Sequence, residues 1–162
     1  MTHHFRFTGL VAVCALVLLT ILLAAAFAQT PRKAPGAMPD ESPVFQEYRG
    51  VQLGWLADDV RKKLGNPADK GDEQDFYVFG EKETAQILYD KDTHKVTAIS
   101  VDFLNGASDV ITPQQVFGAD FETGPDGSKH KLVRYPKAGY WVSYSRTAGD
   151  KPIVTIQIQK MQ

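Results

Sequence analysis

The sequence predicts an α+β fold in which a short helix packs on a three- to four-stranded antiparallel meander, with the unit present twice. Three observations predict it. Leu56, Val60 and Leu64 recur every four residues between paired acids and paired bases, the pattern of a short amphipathic helix. Three runs rich in aromatic and β-branched residues follow, at 75–79, 84–89 and 96–103, joined by short polar connections. After Asn105-Gly106 the same order of helical and strand-like runs recurs in weaker form.

Taken in order, the chain begins with a short polar opening that contains His3, His4 and Arg6. An apolar run from Leu10 to Phe27 follows, and Ala26-Phe27-Ala28 provides a small-x-small site before Gln29. This three-part plan predicts a signal peptide over residues 1–28, cleaved after Ala28, and so a periplasmic or secreted protein. The rival is an uncleaved anchor, since about 18 apolar residues just span a bilayer. Cys14 is the only cysteine and lies inside the apolar run after Val13, so the mature chain would have no disulfide, thiolate nucleophile or zinc–cysteine site. Residues 29–43 carry Pro31, Pro35, Pro39 and Pro43 without apolar periodicity and are expected to form a flexible tether.

The first unit is assigned to residues 44–105. Asp58 and Asp59 in the first turn of its helix, and Lys62 and Lys63 in the last, favour the helix dipole. Gly65 supplies a C-terminal cap and Pro67 bars resumption. In the third strand-like run Ile99, Val101 and Phe103 alternate with Ala98, Ser100 and Asp102, which predicts one buried and one open sheet face. The second, more divergent unit is assigned to residues 106–162. It comprises a helix at 113–117 with Thr112 as N-cap and strands near 131–135, 140–144 and 153–159. Units of about 55 residues without disulfides are marginal alone, so the two are expected to share a core or a sheet.

The run Leu53-Gly54-Trp55-Leu56-Ala57-Asp58-Asp59-Val60, continuing to Leu64-Gly65-Asn66-Pro67 and through the three strands, resembles the SmpA/OmlA-like and beta-lactamase-inhibitory-protein-like group of small envelope domains. The resemblance implies a helix-plus-antiparallel-sheet fold that binds other proteins, in outer-membrane assembly or as tandem units inhibiting a secreted enzyme. The chain departs from the pattern by placing Leu56 where a Ser or Thr cap is usual and by lacking a lipid-attachment cysteine. Both departures weigh against the assembly role.

Chemistry-bearing motifs are sparse. Net charge is −1 with no basic stripe, which argues against a nucleic-acid partner. Gly106-Ala107-Ser108-Asp109-Val110 lacks the second glycine of a nucleophile elbow. Asp90, Asp92 and His94 alternate in a turn, but Lys95 and Val101 stand where a calcium loop needs Gly and Glu. No metal, no other cofactor and no catalytic residue is therefore assigned. Membrane contact is expected only through the N-terminal segment, if it is uncleaved.

The aromatic residues point to recognition. If the β-branched residues of the last strand face the core, Trp141 stands on the open sheet face, and Tyr77, Phe79 and Leu88 are placed there with it. These four form the expected protein-binding surface of a non-catalytic exported module whose partner is an envelope or secreted protein. The competing reading of the aromatics is that they close a shared core. Two alternatives from other classes are a small secreted metal-dependent hydrolase using His94 and His130, and a structural envelope protein anchored by its N-terminus.

Overall fold

A computed structural model describes residues 43–161. The predicted signal peptide with Cys14 and all but the end of the predicted tether lie outside the described residues. The described elements are β1 (Glu47–Tyr48), β2 (Val51–Gln52), α1 (Ala57–Leu64), β3 (Asp69–Lys70), β4 (Gln74–Gly80), β5 (Glu83–Tyr89), β6 (Val96–Phe103), α2 (Pro113–Phe117), β7 (Lys129–Tyr135), β8 (Tyr140–Arg146) and β9 (Val154–Lys160). β1 and β2 form a small ribbon, and the other seven strands form one antiparallel sheet in the order β3-β4-β5-β6-β9-β8-β7.

This architecture corrects the expected fold class. The protein is mostly β, with one seven-stranded sheet built from strands between residues 69 and 160, rather than a helix packed on a meander and plainly repeated. β6 and β9 pair from Ala98↔Gln159 to Phe103↔Val154, so the sheet has no break at the predicted boundary between residues 105 and 106. The reason lies in matched alternation. Ile99, Val101 and Phe103 on β6 lie directly beside Ile158, Ile156 and Val154 on β9, so pairing merges two apolar faces into one. The helices have only eight and five residues, too little to roof two separate sheets.

The core lies on that merged face. One buried row runs Ile87, Ile99, Ile158, Val142 and Val133, and its neighbour runs Tyr77, Ala85, Val101, Ile156 and Tyr144. α1 contributes Ala57 and Val60, and α2 contributes Val116 and Phe117. α1 has no side-chain N-cap, because Leu56 is extended at φ −74°, ψ 144°. Its C-terminus ends at Gly65, whose φ of 88° and ψ of −164° define a conformation open in practice only to glycine. α2 carries a full capping box, in which Thr112 and Gln115 satisfy each other's backbone N–H groups.

Candidate functional site

The side chains divide between the two faces of the sheet. On the core side, the strand alternation that buries Tyr77 also turns Asp75 inward, where it is fully buried. A buried carboxylate requires partners, and Asp75 has five donors. Arg61 of α1 donates to it through Nε at 2.8 Å and Nη2 at 3.0 Å, Tyr89 through its hydroxyl at 2.8 Å, Gly71 through its backbone N–H at 3.3 Å and Tyr77 through its hydroxyl at 3.5 Å. The bond to Asp75 raises the Arg61 pKa. Burial, reinforced by the Asp75 charge, pushes the Tyr77 hydroxyl up to about 12. This cluster clamps α1 to the sheet. Sequence reasoning missed it, although Asp75 shares its strand parity with Tyr77, which was the available signal.

On the opposite side, no described element covers the six long strands. Three rows cross this open face. The first runs Leu88, Ala98, Gln159, Trp141 and Arg134. The middle row runs Phe76, Gln86, Ser100, Gln157, Ser143 and Leu132, and the third runs Val78, Thr84, Asp102, Thr155, Ser145 and His130. From β4 to β7 the face is about 24 Å wide at the usual strand spacing. Asp102 accepts a 2.6 Å bond from the Thr155 hydroxyl, and Gln157 donates to Gln159 at 3.2 Å. Gln86, Ser100 and Ser143 make no side-chain hydrogen bond with other described residues, so the centre of the face offers unused donors and acceptors.

The four expected binding residues separate here. Leu88 and Trp141 lie in one row of the open face, three strand steps or roughly 14 Å apart. Tyr77 and Phe79 are on the core side, which corrects their placement. Tyr77 is buried in register with Ala85, Val101 and Ile156. Phe79 stacks on Tyr77 with ring centroids 5.8 Å apart and lies under the Arg49 guanidinium at 4.2 Å. Their places on the open face are taken by Phe76 and by Val78, which is 53% exposed. No family model, curated protein or solved structure matches the chain.

The other chemistry-bearing residues do not converge. His94 adopts φ 53° in the β5–β6 turn, and its N–H donates to the Asp90 carbonyl at 2.9 Å. The Asp90 carboxylate closes the same turn, accepting from the Thr93 N–H at 2.8 Å and the Thr93 hydroxyl at 2.7 Å, and these bonds lower its pKa. His130 stands on β7, at the far edge of the sheet. Among the described residues no group of three or more His, Cys, Asp or Glu side chains is placed to hold a metal ion, and no helix is long and apolar enough to cross a membrane. A cleft of about 540 Å³ opens at one end of the core side, lined by Gln52, Leu53, Lys95, Tyr140 and Lys160 among others. Its lining includes Asp90 and Thr93, whose side chains bond each other in closing the β5–β6 turn.

Proposed function

We propose that this chain is a non-catalytic, exported protein-binding module of the cell envelope, and that the open face of its sheet recognises the partner. One observation carries the reading: a six-strand face without a described cover holds Trp141, Leu132, Leu88, Phe76 and Val78 around a polar centre of Ser, Thr and Gln side chains with one acid, Asp102, bonded to Thr155. Rigid aromatic and aliphatic groups at the margin supply contact area, while amides and hydroxyls adapt to the hydrogen-bond groups of a protein surface. The resemblance of residues 53–67 to small envelope domains supports an inhibitor-like or assembly role, and the signal-like N-terminus supports export.

The test is site-specific photo-crosslinking in cells expressing the full-length sequence, with the reactive group at Gln86 or Ser143 on the open face and a control at exposed Lys62 on α1. One protein adduct formed from both face positions, absent from Lys62 and lost on Trp141→Ala with Leu88→Ala, is the expected result. Adducts shared with the control position, or unaffected by the double substitution in a protein that remains folded, would sink the reading.

A further inference from the structure

Charge is divided unequally across the sheet. β7, β8 and β9 carry Lys129, Lys131, Arg134, Arg146 and Lys160 and no Asp or Glu, whereas β3 to β6 carry Asp69, Asp75, Glu83 and Asp102 against the single base Lys70. The basic half ends in a free edge. β7 is last in the strand order and pairs only with β8, so one row of its N–H and C=O groups faces away from the sheet. Residues 129–134 make no backbone hydrogen bond with described residues outside the β8 ladder.

Only part of this charge is engaged by other described residues. Lys129 donates to Asp120 at 2.8 Å, Lys131 Nζ lies 4.9 Å from the Phe117 ring, and Arg146 donates to the Gly127 carbonyl at 3.1 Å. His130 and Arg134 project from the open-face side of the edge, and both are exposed. Arg134 is directly beside Trp141, so the edge and the proposed recognition face are continuous.

We infer that β7 is the docking edge for an acidic, extended segment of the partner, which adds to the sheet as a further strand. Main-chain hydrogen bonds to the outward groups of β7 supply the contact, and Asp or Glu side chains of the incoming segment alternate between His130 and Arg134 on one face and Lys131 on the other. Basic residues on an edge keep neutral and basic strands away. The same residues attract an acidic strand, so the guard against aggregation also sets specificity. The inference rests on the proposed function in taking the partner to be a protein.

The probe is a fluorescent peptide of eight residues in which pairs of Glu alternate with pairs of Thr, so that an extended strand presents Glu on both faces, titrated into the protein recovered from cells expressing the full sequence. Binding is expected, with affinity falling about tenfold or more between low and moderately high salt, as a contact between opposite charges requires. Amide exchange along β7 should slow on binding. A peptide with Lys in place of Glu should not bind, and Arg134→Glu combined with Lys131→Glu should weaken the Glu peptide at least about tenfold. An acidic peptide with alternate backbone nitrogens methylated keeps its charge and loses its ladder donors, so it too should fail, and that control does not depend on how a variant folds. Equal binding of the methylated peptide, equal binding of the Lys peptide, or no binding of the Glu peptide overturns the inference. Persistence of the open-face crosslink in any of those cases leaves the proposed function standing.

Discussion

At the scale of single residues, Asp75 is the one buried charged side chain among the described residues, held by five donors. Its carboxylate has no exposure, and the Arg61 side chain that partners it keeps a fifth of its own. Breaking a buried ion pair by removing one member costs about 3–5 kcal/mol, because the remaining partner is left desolvated. Arg61 can turn partly to water, so Asp75→Asn is expected at the lower end, about 3 kcal/mol, read as a lower urea midpoint at unchanged slope. A loss below about 1 kcal/mol would show that the clamp between α1 and β4 is incidental. Asp75 illustrates what a sequence conceals at this scale. Its inward parity follows from the alternation of β4, but the two tyrosines and the arginine that make burial tolerable come from residues up to 14 positions away.

At the scale of elements, the longer strands were legible as runs because their β-branched and aromatic residues are dense and their connections polar. The two-residue strands β1, β2 and β3 were not, since two residues hold no period. β4 shows a subtler limit. Phe76 and Val78 on one face are as apolar as Tyr77 and Phe79 on the other, so alternation alone does not say which pair is buried. The register decides it, by setting Tyr77 beside Ala85 and Phe76 beside Gln86. Adjacent substitutions should therefore differ sharply. Tyr77→Ala, which removes a buried ring and a hydroxyl bound to Asp75, is expected to cost about 3–5 kcal/mol, and Phe76→Ala on the half-buried open face less than about 1.5 kcal/mol. Chemical denaturation of the two variants measures both, and comparable losses would mean that the open face is covered in the native protein.

At the scale of the whole molecule, the decisive feature is the β6–β9 seam, which turns two blocks of sequence into one sheet. Matched rows of Ile, Val and Phe were visible in each block, but their meeting was a matter of three-dimensional choice. Each block's pattern is compatible with a core of its own, but helices of eight and five residues are too short to close one. A shared seam has a thermodynamic consequence, because opening either half exposes apolar surface on the other, and the halves should unfold together. The two tryptophans report this separately, Trp55 beside the start of α1 and Trp141 on β8. Variants retaining one each, Trp141→Phe and Trp55→Phe, should give fluorescence transitions in urea that coincide with each other and with the loss of far-ultraviolet dichroism. Ile158→Ala, which truncates a fully buried side chain at the seam opposite Ile99, should shift both tryptophan transitions by the same amount, corresponding to about 3 kcal/mol. Two separated transitions, or a shift confined to Trp141, would show that the seam does not couple the halves.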